Sequence, residues 1–412
     1  MSGSEGRLPL YVSGRIFGRP CVARKVAGLL LAVALVPAAG AQDSGGFEAY
    51  RDRQQDGFEA YRSGQEEAFA AYRERVREAF AAYKRKAARV WGRDRDLVPD
   101  RQTWVSYRHG MRERRVVDFE RGQARFQVAL EPGQRKVTAQ ARAWLKDAIV
   151  DSLTRGPDQR TIEEIAEDPD AARPGGDPLL DGLAADDAGR PVAAEQARDF
   201  AEQVVKEARV EEVESGDGHE RVAVTAEVPL IPDHVRKRAE KYQTVVERQA
   251  ERRSLAPELV FAVMETESFF NPMARSPIPA FGLMQLVPVS GGLEAYRMVH
   301  GKDKKPSEQF LYDPQNNVEL GAAYLHRLYY DYMRGIEDDR ARLWCAVAAY
   351  NTGPGNLYRT FAEAGGRQAA VRRVNRMGPD EVFDHLVVNL PYEETRHYIQ
   401  KVREKMPKYQ RL

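Results

Sequence analysis

Residues 257–272 read PELVFAVMETESFFNP. Pro257 suits the first position of a helix, where its missing N–H costs nothing. Leu259, Val260, Val263 and Met264 follow at helical spacing as one apolar face. The next step of that stripe is Glu267. Asn271-Pro272 is expected to end the helix, because proline cannot continue it. A carboxylate on an apolar face is costly to ionise, so it holds its proton unusually well. Such a carboxyl suits a general acid working near neutral pH. Glu265 lies about 200° around the axis from Glu267, so the two carboxylates point opposite ways. The expectation is therefore a solvated Glu265 and a site-facing Glu267. Spacing alone leaves the competing possibility that Glu267 is a helix-end carboxylate paired with a basic residue.

Two further motifs follow in order: Gly282-Leu283-Met284-Gln285 and Ala349-Tyr350-Asn351. With Glu267-Ser268 they span about 85 residues, and the order of the three is far more specific than any one of them. The set resembles the soluble lytic transglycosylase family, with its goose-type lysozyme-like α-helical fold. Within that family it is most similar to the membrane-bound type C murein enzymes. Asp313-Pro314-Gln315-Asn316, Gly321-Ala322-Ala323-Tyr324-Leu325 and Glu394-Thr395-Arg396-His397-Tyr398 extend the likeness over roughly residues 240–410.

The 412 residues should hold two or three units, and 42% hydrophobic residues suffice for packed cores. A net charge of +1 gives no global field for nucleic acid. The C-terminal run Lys401, Arg403, Lys405, Lys408 and Arg411 is expected to form a solvated helix face, with contact to an anionic wall polymer as the alternative. Arg15, Arg19, Arg24 and Lys25 precede an apolar run, Val26 to Val36, and then Ala39-Gly40-Ala41. This is the pattern of a cleavable export leader, residues 1–41. The run is shorter than the about 20 residues a membrane span needs, so the mature chain is expected to have no transmembrane helix. Membrane-bound type C relatives carry a lipid-accepting cysteine just after the apolar run. None stands there in this chain, so export to the periplasm or cell envelope without a lipid is expected. Only Cys21 and Cys345 exist. With Cys21 in the leader, no intrachain disulfide forms, and Cys345 reads as a small buried hydrophobe.

Phe47, Phe58, Phe69 and Phe80 recur every 11 residues, each followed three later by a tyrosine (Tyr50, Tyr61, Tyr72, Tyr83), with Trp91 in the next slot. Eleven residues make three helical turns, so the aromatic pairs return to nearly one face. The repeat predicts a long hendecad helix over 42–91 of roughly 65 Å. Its stripe must be covered by a second copy, by the rest of this chain, or by a membrane surface. A small α+β domain is expected over 92–232. Val117 to Val128 alternates as a hairpin around Arg121-Gly122, helices are expected near 137–153 and 193–210, and a strand over 221–228. Residues 155–192 read as a long loop with little structure, and no constellation in this domain carries chemistry. From 233 to 412 the chain reads as helical throughout. The fold class is thus α+β multidomain, with an all-α lysozyme-like catalytic domain. No His or Cys cluster has metal-ligand spacing, so no metal or cofactor is expected.

The resemblance implies one glutamate used twice and no water. Glu267 would protonate the oxygen between N-acetylmuramic acid and N-acetylglucosamine of peptidoglycan. It would then accept the proton of the muramoyl 6-hydroxyl as that oxygen closes onto C1, leaving a 1,6-anhydro end. The same resemblance implies that Ser268 helps place the N-acetyl group, and that Met284 and Gln285 line the groove with Gly282 allowing close backbone approach. It also implies that Tyr350 and Asn351 sit beside Glu267 and that Tyr398 reaches in from the C-terminal helix. From sequence alone Met284 fits a core as well as a groove, and Tyr350, Tyr398 and Tyr324 fit buried aromatics with satisfied hydroxyls. Gln285 is harder to place in a core, because a buried amide needs partners. A hydrolytic muramidase and a non-catalytic wall-binding scaffold are the alternatives.

Overall fold

The computed structural model describes residues 44–92, 97–362 and 366–412, with side chains from residue 67 onward except residue 68. The expected leader and the side chains of Phe47, Tyr50, Phe58 and Tyr61 lie outside the described residues.

The first helix, α1, runs over Ser44–Trp91. Five strands follow within the next domain: β1 (Thr103–Arg108), β2 (Glu113–Asp118), β3 (Gln123–Ala129), β4 (Arg209–Glu214) and β5 (Glu220–Pro229). They form one antiparallel sheet in the order β1-β2-β3-β5-β4. The expected hairpin is present, with Val117 opposite Ala124 across the Arg121-Gly122 turn. Gly122 has φ +68°, and a Cβ there would sit 2.5 Å from the His234 ring, so the turn needs glycine on both counts. Strand β1 lies in the region 92–150 that reads as strand-patterned but was not picked out singly, and β4 was not expected. Each is short, and β4 carries Glu211, Glu212 and Glu214, which hide the period of two. Helices α2 (Ala139–Thr154), α3 (Ile162–Glu167) and α4 (Ala197–Lys206) complete the domain.

The described half of the aromatic stripe is covered by this same chain. Tyr72, Val76, Phe80, Tyr83, Val90 and Trp91 are buried in one apolar cluster with Val117, Phe126 and Leu145. The Trp91 indole donates to the Met111 carbonyl at 2.7 Å, Arg114 stacks over its ring, and Tyr83 meets Tyr107 edge-on. The boundary expected at residue 91 therefore falls inside a single core.

The segment 155–192 is not the featureless loop that its Gly, Pro and Asp content suggested. Arg160 is buried and pairs with Asp158 at 2.7 Å, and donates to the Asp168 carbonyl at 2.8 Å. Thr161 and Glu164 form a capping box on α3, and Leu179, Leu180 and Leu183 enter the core. Side-chain to backbone hydrogen bonds replace ladder and helix bonds there.

The rest of the chain is helical: α5 (His234–Lys241), α6 (Gln243–Arg253), α7 (Pro257–Ser268), α8 (Gly291–His300), α9 (Glu308–Tyr312), α10 (Pro314–Arg327), α11 (Asp339–Thr352), α12 (Pro354–Phe361), α13 (Gly366–Val374), α14 (Pro379–Asn389) and α15 (Glu393–Lys405). A π turn at Leu328–Tyr332 follows α10. Cys345 lies fully buried in α11, where burial pushes its thiol pKa up and leaves it inert. Among the described residues no helix is long and apolar enough to cross a membrane.

Apolar packing is continuous between the α+β domain and this helical domain, since Met273, Phe281 and Tyr312 join the cluster around the sheet. Polar stitches add to it. The buried Arg238 donates to the Phe119 carbonyl at 2.8 Å, the buried Arg275 to the Arg160 carbonyl at 3.1 Å, and the Tyr72 hydroxyl to Glu308 at 3.2 Å.

Candidate active site

Helix α7 lies at the centre of the helical domain and is buried on every side from Leu259 to Met264. It stops one turn before the proline expected to end it. Phe269 and Phe270 both take left-handed backbone, with φ 49° and 59°, an uncommon conformation for such bulky residues. The chain thereby turns sharply just past Ser268. Asn271 then fixes the turn by accepting from the Met273 amide at 3.0 Å.

Glu267 is only 5% exposed. Burial pushes its pKa up to about 7, against the opposing pull of Arg101 and the Tyr398 hydroxyl. Glu394 adds a smaller upward push. A carboxyl of this kind is largely protonated on the acid side of neutrality and ionised above it. The nearest cation is Arg101, whose Nη1 lies 4.0 Å from Oε2. The Tyr398 hydroxyl, on α15, lies beside that carboxyl, buried and without a hydrogen-bond partner among the described residues. Tyr350, on α11, donates its hydroxyl to the Met284 carbonyl at 2.8 Å, and Glu267 helps hold its pKa well above the ordinary value, after burial. Asn351 accepts from Thr395 at 2.7 Å, joining α11 to α15 beside the site.

Three of the expected substrate-binding residues are packed into the protein's interior. Ser268 is fully buried, and its hydroxyl donates to the Met264 and Leu283 carbonyls at 3.0 and 2.8 Å. It ties the end of α7 to the Gly-Leu-Met-Gln turn, with its hydroxyl engaged inside the protein. Gly282 has φ +75°, and a Cβ there would lie 2.2 Å from the Leu311 carbonyl oxygen. Its smallness serves the chain's own packing. Met284 is fully buried, with a Cβ on Gly321 coming 2.2 Å from its sulfur. Asn317, fully buried, holds the turn by accepting from the Met284 amide at 2.8 Å and donating to the Phe281 and Leu311 carbonyls. Gln285, with φ 46°, donates to the Gly282 carbonyl at 3.0 Å. Its Oε1 is buried without a partner, an acceptor still to be filled. Tyr324 packs against Tyr350 with ring centroids 5.5 Å apart.

Glu265 also departs from expectation. It is 3% exposed, not solvated. Tyr409 donates to it at 2.7 Å, and Lys405 and Lys408 lie 3.5 and 3.4 Å away. The C-terminal basic run is thus partly a set of internal counter-ions and not simply a wet face. Glu265→Gln leaves the buried Lys405 without its charge partner, and breaking a buried pair costs about 3–5 kcal/mol. The substitution is expected to lower the melting temperature by several degrees while the folded enzyme keeps its activity. Thermal unfolding beside an activity assay checks this, and an unchanged melting temperature would count against the pair.

The site therefore joins Glu267, Tyr350 and Tyr398 with two residues that sequence did not single out, Arg101 and Glu394. Glu394 had a visible clue, since it stands one turn before Tyr398 in Glu394-Thr395-Arg396-His397-Tyr398. Arg101 had none.

Residues 244–372 match the family of the transglycosylase SLT domain, and residues 69–241 match the N-terminal domain of membrane-bound lytic murein transglycosylase C. The membrane-bound lytic murein transglycosylase C of Serratia proteamaculans is 32% identical over 78% of this chain and 86% of its own length. That of Edwardsiella ictaluri is 32% identical over the same shares. The chain belongs to the membrane-bound lytic murein transglycosylase C family. Its N-terminal family match begins at residue 69, inside α1 and close to where Tyr72 enters the core. The Glu267 site lies within the SLT match, while Arg101 comes from the family's N-terminal domain. A solved lytic transglycosylase Slt of Pseudomonas aeruginosa, an inactive mutant, aligns over 40% of this chain and 23% of its own, at 29% identity and a TM-score of 0.31.

Proposed function

We propose that this protein is a peptidoglycan lytic transglycosylase in which Glu267 is the single acid and base. The observation that carries this is a buried carboxyl with its pKa near 7 that is flanked by Arg101, Tyr350 and Tyr398, while its two neighbouring carboxylates are already engaged. Glu265 is held by Lys405, Lys408 and Tyr409, and Glu394 by Arg101. Two-carboxylate glycosidases need a second free group as nucleophile or base, and neither neighbour offers one.

In this scheme protonated Glu267 donates to the glycosidic oxygen, so the bond from C1 of N-acetylmuramic acid breaks and N-acetylglucosamine leaves with a 4-hydroxyl. The substrate's own N-acetyl group steadies the positive charge at C1. Glu267, now ionised, takes the proton of the muramoyl 6-hydroxyl as O6 bonds to C1. The carboxyl ends as it began, ready for the next bond. Tyr398 and Tyr350 flank it, and the unfilled Gln285 Oε1 suits a donor of the bound sugar. Such a substrate places the protein in the cell envelope.

Digestion of purified sacculi should release muropeptides with 1,6-anhydromuramoyl ends, lighter by one water than hydrolytic products. Mass spectrometry of the digest distinguishes the two. Reducing muramic ends as the main product would make the protein a muramidase, and no release at all would favour a wall-binding scaffold.

A further inference from the structure

The α+β domain reaches the active site through one tight turn. Asp100 Oδ1 accepts from the Gln102 and Thr103 amides at 2.8 and 2.6 Å, folding the chain just before β1 so that Arg101 projects from the domain. Both sides of this turn are fastened to the helical domain just past α7. The Arg275 amide donates to the Asp100 carbonyl at 3.3 Å, and Asn271 Nδ2 donates to the Arg101 carbonyl at 3.4 Å. Asn271 and Arg275 belong to the segment whose left-handed start ends α7, so the turn that finishes the Glu267 helix also receives the Arg101 loop.

The guanidinium then spans two helices. Nη1 stands 4.0 Å from Glu267 Oε2 on α7, and Nη2 is ion-paired with Glu394 in the first turn of α15. About one third of the Arg101 side chain is exposed. It borders a cavity of about 400 Å³ with Gln102, Thr266, Glu394, His397 and Tyr398. The two contacts differ in kind. At 4.0 Å Arg101 attracts a Glu267 anion but forms no hydrogen bond that would clamp it, so the carboxyl remains free to carry a proton. The tight bond goes to Glu394, which holds the fork in place and offsets its charge.

We propose that Arg101, supplied by the α+β domain, is a positioning residue that aligns the Glu267 carboxyl and steadies it after it has given up its proton, with Glu394 as its counter-ion. This rests on Glu267 being the acid and base. The active site is then complete only when the α+β domain is docked, which gives that domain a part in catalysis beyond any contact with the wall.

Arg101, Glu394, Tyr398 and Tyr350 face Glu267 from the loop before β1, α15 and α11, while His397 and Lys401 border the same cavity. Two opposite charges side by side permit a test that a purely structural role would not pass. Removing a cation from beside a carboxylate raises its pKa, and removing an anion lowers it. In the full-length chain, Arg101→Met should move the limb of the pH profile on which Glu267 must be protonated upward by about one unit. It should also lower kcat more than it raises KM. Glu394→Gln should move the same limb downward. Arg101→Lys, which keeps the charge, should restore the limb to within a few tenths of a unit of the parent, on the order expected when charge and not shape decides.

Cleavage of sacculi by each variant from pH 4 to 9, with melting temperatures alongside, reads all three. Limbs that stay put, or that move in the same direction in Arg101→Met and Glu394→Gln, would overturn the proposal. If Arg101→Met does not fold, Glu394→Gln decides alone, since an unmoved limb there overturns it equally. Glu267→Gln separates the two levels. If that variant cleaves, the acid–base assignment fails whatever Arg101 does. If it is dead and the profiles do not move, only the role of Arg101 fails.

Discussion

Glu267→Gln is expected to lower glycan cleavage by more than about a thousandfold, within the range that a positioned general acid and base supplies. The amide keeps the size and polarity of the carboxyl beside Tyr398. It has no proton of suitable acidity for the glycosidic oxygen and no basicity for the 6-hydroxyl, so both halves of the reaction are lost with one substitution. The fold should survive, because Glu267 is held by no close ion pair: its nearest cation is 4.0 Å away. Ionising a buried carboxylate is itself costly, so the neutral amide should leave the melting temperature equal to or above that of the parent. Glycan binding should also persist. Turnover of sacculi within tenfold of the parent would remove Glu267 from the mechanism. The contrast with Glu265→Gln is the sharper check. That residue is as deeply buried and only two positions away, yet it is tied to Lys405, Lys408 and Tyr409, so its loss should cost stability and spare chemistry.

That contrast also marks how far the sequence could be read. The apolar stripe of Leu259, Val260, Val263 and Met264 placed Glu267 on a buried face by helical periodicity alone. The inference that Glu265, on the opposite face, must be wet assumed a helix with one solvated side. Helix α7 instead runs through the middle of its domain, and both faces are covered. Phe261 and Ala262, which stand off the stripe, were the local sign that the helix is apolar all round. The partners of Glu265 lie about 140 positions away, and no periodicity links positions so distant. The same limit hid Arg101, whose turn precedes a short strand and carries no pattern of its own. Ser268, Gly282 and Met284 show a different limit. They do belong to the turn that builds the site, but they serve it from behind, through two carbonyls, a left-handed backbone and a buried thioether. A motif names the residues a site requires without telling which of them face outward.

Deleting residues 1–91 is expected to unfold the α+β domain, whereas deleting residues 1–66 should leave it intact. The aromatic repeat looks uniform along the sequence, and the boundary expected at residue 91 sets it apart from the sheet domain as a removable arm would be. Its described half is instead core. Val76, Phe80, Tyr83, Val90 and Trp91 are each buried against the sheet domain. Each such side chain contributes roughly 1.5–3 kcal/mol when fully buried, so removing all five takes away on the order of 10 kcal/mol, comparable to the whole net stability of a domain. The deletion also strands polar partners. The Met111 carbonyl loses the Trp91 indole, and the Ser215 hydroxyl loses the Val90 carbonyl to which it donates at 2.6 Å. With the sheet domain unfolded, the Asp100–Thr103 turn cannot deliver Arg101 to Glu267, and cleavage should fall even though the SLT region itself is untouched. The shorter deletion keeps every one of these contacts. Limited proteolysis and thermal unfolding of the two truncations, with cleavage of sacculi measured in parallel, separate the outcomes. The longer truncation should be cut within residues 92–232 under conditions where the shorter one resists. If the two instead melt and cleave alike, then Tyr83 and Trp91 do not hold the sheet domain together, and α1 is a removable arm after all.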